Sequence, residues 1–152
     1  KLNVLKKYWK VLTLSIISAL FIHAFVILLI TVLLKSSPEM VATFIPKSVT
    51  TSIAKDISSG LGGNVNLTVV IVVLTGVLGA VIGPIIFKIF KINHPVAIGV
   101  SFGTASHAVG TAKALEYGDL EASISTLALI ITGILTVIIS PFLYELIVFI
   151  IN

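Results

Sequence analysis

The chain has 152 residues, 57% of them hydrophobic and only 11% charged, with a net charge of +4 and no cysteine. A soluble globular domain carries about 25% charged residues, so this composition, with a mean hydropathy of +1.20, excludes a soluble domain. The lack of thiols excludes disulfides, thiolate metal ligands and cysteine nucleophiles. All ten basic residues are lysines gathered at the ends of apolar runs, which fits the positive-inside rule of membrane proteins and argues against a nucleic-acid-binding surface.

The opening "KLNVLKKYWK" before an apolar run resembles a signal peptide. However, Val11–Leu34 is longer than a signal core of about 7–15 residues, and no A-x-A cleavage site follows. It reads as a first span, with Tyr8 and Trp9 beside Lys6, Lys7 and Lys10 as its interfacial anchor. A bilayer crossing needs about 20 apolar residues. Leu67–Phe90 and Ser123–Ile151 also meet that length. Asn64 and Asn66 are expected to cap the second span. Gly76, Gly79 and Gly83 form helix-packing stripes on it, and Pro84 and Pro141 are expected to kink their spans.

Two segments between the spans, Pro38–Asn64 and His94–Asp119, do not read as clean crossings. Each starts near a proline, breaks in the middle, and continues with Ser and Thr at helical spacing. The breaks are placed at Pro46 and Gly103. The two segments are related, because "SIAK" (Ser52–Lys55) aligns with "GTAK" (Gly110–Lys113), and "TGVLGAVIGP" (Thr75–Pro84) aligns with "TGILTVIISP" (Thr132–Pro141). One membrane domain is therefore expected, with an N-terminal span at 11–34 and repeat units at about 38–90 and 94–151.

Lysine placement predicts topology. Lys1, Lys6, Lys7 and Lys10 put the start of the first span inside, Lys35 falls outside, and Lys88 and Lys91 return inside. The two broken segments then enter from opposite faces. The expected fold is an all-α integral membrane protein, with two re-entrant or broken helices in an inverted repeat, as in transporters.

Non-helical backbone at membrane depth persists only where protein buries it or a cavity receives it. Paired broken helices of this kind direct half-helix N-termini at an anionic substrate. The second half-helices are expected to start near Lys47–Ser48 and Gly103–Thr104. The candidate substrate-binding residues are Lys47, Ser48, Thr50, Thr51, Thr104, Ser106, His107 and Thr111, with Pro46, Gly103 and Gly110 shaping the backbone. Thr104, His107 and Thr111 have i, i+3, i+7 spacing and would share one helical face. A charge at the break is costly and marks function by default, so Lys47 is the candidate anion partner. The alternative is a shallower break that lets it reach the headgroups.

Lys55 and Lys113 lie about nine residues beyond the breaks, roughly 13 Å at 1.5 Å per residue, and would snorkel to the interface. His107 could bond substrate, carry a proton or bond a neighbouring helix. His23 reads as a packing or interhelical residue, and His94 as a loop residue. Adjacent residues on a helix point about 100° apart, so Ser106 and His107 cannot form a nucleophile–base pair, and no enzyme is expected. No cofactor or metal is expected either.

The stretches "PKSVTTSIAKDISSGLGG" and "GTASHAVGTAKALEYGDLEASISTLALIITGILT" are similar to the LrgB/CidB family of bacterial membrane proteins from about Pro38 onward. Family members are longer at the N-terminus, so the chain resembles a C-terminal two-thirds. The resemblance implies a multi-pass protein of the bacterial cytoplasmic membrane. It also implies two competing functions. One is a holin- or antiholin-like role modulating murein hydrolase activity and lysis. The other is movement of small monocarboxylates such as pyruvate, or glycolate and glycerate in plastid relatives. It implies a small LrgA/CidA-type membrane partner, and a homo-oligomer is expected. The family motifs fall on Pro46, Lys47, Ser48, Thr50 and Thr51, and on Gly103, Thr104, Ser106, His107, Gly110 and Thr111. The chain departs from the pattern at "TTSIAKD", where the family more often has Pro after the two threonines and a small or apolar residue in place of Lys55. That departure weakens any role for Lys55. Paired broken helices with a buried lysine suit a carboxylate carrier better than a lesion-forming holin.

Overall fold

A computed structural model describes the backbone of residues 2–151 and the side chains of residues 7–151. Lys1 and the side chain of Lys6, which enter the topology argument, lie outside the described residues. Among the described residues the chain is helical throughout, without strands. Its elements are α1 (Leu2–Leu33), α2 (Pro38–Phe44), a 3-10 turn (Ile45–Ser48), α3 (Thr51–Gly60), α4 (Val65–Ile89), α5 (Pro95–Ala105), α6 (His107–Ala114) and α7 (Asp119–Ile151).

Three helices are long and apolar enough to cross a bilayer: Lys7–Leu33 within α1, α4 and α7, of 27, 25 and 33 residues. Their outward faces are large and apolar, including Phe21 and Phe25 on α1, Leu78 and Val81 on α4, and Phe142 and Phe149 on α7. Such faces suit hydrocarbon, in which a helix satisfies its own backbone. α4 and α7 continue through Pro84 and Pro141.

Three helix starts are held by side chains that accept an otherwise unpaired backbone N–H. Ser37 accepts from Met40 ahead of α2, Asn64 from Leu67 ahead of α4, and His94 Nδ1 from Val96 ahead of α5. One expectation is corrected here. Asn66 lies inside the first turn of α4 and makes no cap. His94 lies in the loop before α5, as expected, where it serves as the N-cap, and its ring packs edge-on to Tyr8 at 5.3 Å.

α5 is the buried middle helix. Val96 and Val100 pack with Leu12 and Ile16 of α1 and with Ile124 and Ala128 of α7. Ile98 and Phe102 pack with Phe87 of α4, Ala114 of α6 and Ala122 of α7. Tyr117, just past α6, contacts Phe87 and Phe102 with centroids 6.0 and 5.7 Å apart. α6 therefore doubles back to the end of α4 from which α5 set out. α3 behaves similarly: Gly63, just beyond it, lies against Ala42 and Thr43 of α2, where a Cβ would come within 2.8 Å of the backbone.

Hydroxyl pairs tie each short helix to a span. Thr68 Oγ1 of α4 lies 2.7 Å from Ser58 Oγ of α3 and 3.1 Å from the Thr43 carbonyl. Thr111 Oγ1 of α6 lies 2.8 Å from Ser125 Oγ of α7. In hydrocarbon a hydroxyl without a partner is costly, so such pairs act as adhesive between helices.

The second break differs from its expected place. Gly103 and Thr104 are helical, and the chain turns three residues later, at Ser106 and His107. The reason is packing. A Cβ on Gly103 would overlap the Ser125 carbonyl of α7, so glycine there permits close helix approach rather than a turn. Gly110 likewise lies inside α6, close to Ser106 and the Phe102 carbonyl. The first break does include Pro46, which sits in the 3-10 turn, but the following helix starts at Thr51 rather than Lys47–Ser48.

Candidate functional site in a cavity between the two breaks

The first break is built by Pro46. Proline lacks an N–H, so the α-helical bonding of α2 tightens into a 3-10 turn. Val49 is then extended (φ −131°, ψ −179°) before α3 begins. The second break turns at Ser106 (φ −125°, ψ 4°). Its N–H closes α5 onto the Phe102 carbonyl, and its own carbonyl accepts from Gly110 in α6. His107 follows with φ +47°. A left-handed non-glycine residue costs about 1–3 kcal/mol and concentrates at functional sites.

Both breaks face one cavity of about 620 Å³. Lys47 and Ser48 come from the first break, Ala105 and Ser106 from the second, and Thr104 from the last turn of α5. His23 and Ala19 of α1, Ser101 of α5 and Thr75, Gly79 and Gly83 of α4 supply the other polar and small parts of the wall. Gly79 has no room for a side chain, because a Cβ would overlap Ser106 Oγ, and a Cβ on Gly83 would come within 2.8 Å of Phe102. The glycine stripe of α4 is thus the surface on which the second break rests. In the aligned register Ser106 takes the position of Ser48, and Ala105 that of Lys47.

Lys47 is partly buried and makes no ion pair among the described residues. Its Nζ lies 3.4 Å from Ser48 Oγ. His107 is buried beside the Lys47 backbone, and its Nε2 has no hydrogen-bond partner among the described residues. The starts of α3 and α6 have no side-chain cap, unlike those of α2, α4 and α5. The α6 start, at Ser106, is on the cavity.

Other expected site residues are placed differently. Thr104 and His107 lie on opposite sides of the Ser106 turn, so Thr104, His107 and Thr111 do not share one helix. The Thr104 hydroxyl donates to Val100 O at 2.8 Å. The Thr111 hydroxyl is taken up by the His107 carbonyl and Ser125. Thr50, Thr51, Thr111, His107, Pro46, Gly103 and Gly110 do not line the cavity. Lys55 is exposed, and Lys113 pairs with Glu116 at 2.6 Å. Among the described residues no three His, Asp or Glu side chains converge as a metal site would require.

His23 is the residue that sequence reasoning undervalued. It does make an interhelical bond, to the Ile45 carbonyl at 2.9 Å, but it also reaches Ser48 and lines the cavity. The available signal was an ionisable side chain in the middle of an apolar span.

Comparison with known proteins fits this architecture. The LrgB-like family model matches residues 1–146. An uncharacterized protein of Haemophilus influenzae is 38% identical over 149 residues, covering 98% of this chain and 64% of that protein. The antiholin-like protein LrgB of Bacillus subtilis is 31% identical over 143 residues, covering 94% of this chain and 62% of the relative. The uncharacterized protein YwbG of Bacillus subtilis is 37% identical over 140 residues. The chain therefore spans less than two thirds of the length of these curated relatives. No solved structure matches it. With a family match over nearly all its length and three apolar helices able to cross a bilayer, the chain belongs to the LrgB-like family of membrane proteins.

Proposed function

We propose that the chain carries the anion site of a carrier or facilitator for small monocarboxylates in the bacterial cytoplasmic membrane. In this reading the units 38–90 and 94–151 form an inverted repeat whose broken helices re-enter from opposite faces, and their breaks frame one site. The observation that carries it is Lys47, which stands on the cavity wall at a backbone break with no acidic partner among the described residues. A charged side chain at the centre of a membrane helix costs about 2.5–3.5 kcal/mol on insertion scales. A bound carboxylate offsets that cost. Ser106 and the uncapped α6 start offer it hydrogen-bond donors. The cavity volume of about 620 Å³ falls in the range usual for small-molecule sites.

The test is uptake of labelled pyruvate by proteoliposomes holding the whole protein. Saturable uptake is expected, falling at least about tenfold in Lys47→Ala, since a charge-assisted hydrogen bond is worth about 1.5–3 kcal/mol. Uptake indifferent to that change removes the assignment.

The name of the Bacillus subtilis relative supports a second reading, an antiholin-like regulator of lysis. It predicts altered release of a large encapsulated dye and no saturable carboxylate uptake.

A further inference from the structure

Three contacts link Lys47 through α1 back to the 3-10 turn. Lys47 Nζ lies 3.4 Å from Ser48 Oγ, Ser48 Oγ lies 3.2 Å from His23 Nδ1, and His23 Nε2 lies 2.9 Å from the Ile45 carbonyl. With a neutral ring, only one assignment of protons satisfies all three. A carbonyl can only accept, so Nε2 carries the ring proton and donates to Ile45. Nδ1 is then a lone pair and must accept from the Ser48 hydroxyl. That uses the single Ser48 proton, and its oxygen is left to accept from the Lys47 ammonium. Every donor in the chain points from Lys47 toward Ile45.

We propose that His23 is a positioning residue of the anion site, holding Ser48 as a fixed acceptor that sets where the Lys47 ammonium stands. The inference rests on the carboxylate reading above. Ser48 then gives no hydroxyl to the anion, although it lines the cavity. The hydroxyl donor comes instead from Ser106 at the opposite break, whose side chain makes no hydrogen bond among the described residues. The Lys47–Ser48 contact is the longest of the three, so His23 acts chiefly by fixing the Ser48 rotamer. α1, which lies outside both repeat units, becomes part of the site.

The experiment measures KM and Vmax for labelled pyruvate uptake by the whole protein in proteoliposomes. The variants are His23→Asn, His23→Gln, His23→Leu, Ser48→Ala and Lys47→Ala. The Asn amide oxygen stands near Nδ1 and can accept from Ser48, but Asn does not reach Ile45. Gln reaches Ile45 with its amide N–H and leaves Ser48 without an acceptor. His23→Leu and His23→Gln are expected to raise KM about tenfold, with Vmax little changed, and His23→Asn to recover most of that loss. Ser48→Ala should match His23→Leu, and the double variant should be no worse than either, because the two side chains act as one unit.

Recovery by Gln and not by Asn overturns the proposal, since it makes His23 a structural tie to Ile45. So does multiplication of the His23→Leu and Ser48→Ala effects. Uptake lost in Lys47→Ala but unchanged in His23→Leu overturns the positioning role alone. Uptake that survives Lys47→Ala overturns the Lys47 site and the positioning role together, and a wild-type protein without saturable uptake overturns the carboxylate reading itself.

Discussion

The two breaks face the same cavity, yet they are built differently. The first uses a proline, a 3-10 turn and an extended residue, and it carries a lysine. The second uses a single serine that closes one helix and opens the next, followed by a left-handed histidine, and it has alanine where the lysine would be. Serine is the side chain they share, at Ser48 and Ser106. Its surroundings differ as well: Ser48 is tied to His23, whereas Ser106 sits over Gly79 without a hydrogen bond among the described residues. The two breaks thus form a charged, braced side and an uncharged side with a free hydroxyl.

The strongest way to break this comparison is to move the charge. Ala105 is exposed and lines the cavity, so Lys47→Ala combined with Ala105→Lys should regain saturable pyruvate uptake that Lys47→Ala alone loses. A folded double variant with no uptake would show that the 3-10 turn, and not only the charge, is required. A smaller effect is expected on stability. Gly103→Ala places a methyl group against the Ser125 carbonyl and 2.8 Å from the Ala128 Cβ, which overpacks α5 on α7. It should cost about 1–3 kcal/mol, read as a lower unfolding temperature in detergent, and an unchanged temperature would count against close packing there. The smallest contrast concerns helix starts. Ser37→Ala removes a cap bond and should cost about 0.5–2 kcal/mol. Thr50→Ala removes none and should leave thermal stability unchanged.

The spans were readable because crossing a bilayer is a matter of length and hydropathy, and α1, α4 and α7 fall within a few residues of their expected ranges at most ends. The largest difference is the earlier start of α1, at Leu2 rather than Val11. The first break was readable for a local chemical reason, since Pro46 cannot supply an N–H. The second was misplaced because glycine serves two purposes. Gly103 lacks a side chain so that α7 can approach, and nothing local distinguishes that from a turn. The partners of His23 were out of reach of pattern reasoning, although its place in an apolar span was a signal: Ile45 lies 22 residues away, brought there only when α2 folds back along α1. The Thr104–His107–Thr111 face failed for the same reason as the break, because periodicity assumes one continuous helix.

If the proposed anion site holds, the division of labour between the breaks also predicts a stoichiometry. Two similar backbone devices would ordinarily suggest two equivalent ligand positions per chain. Here both open onto a single cavity and only Lys47 supplies a full positive charge from a break. On the proposed carboxylate reading, charge balance then predicts one monocarboxylate per chain, and a direct binding titration should saturate at one equivalent rather than two.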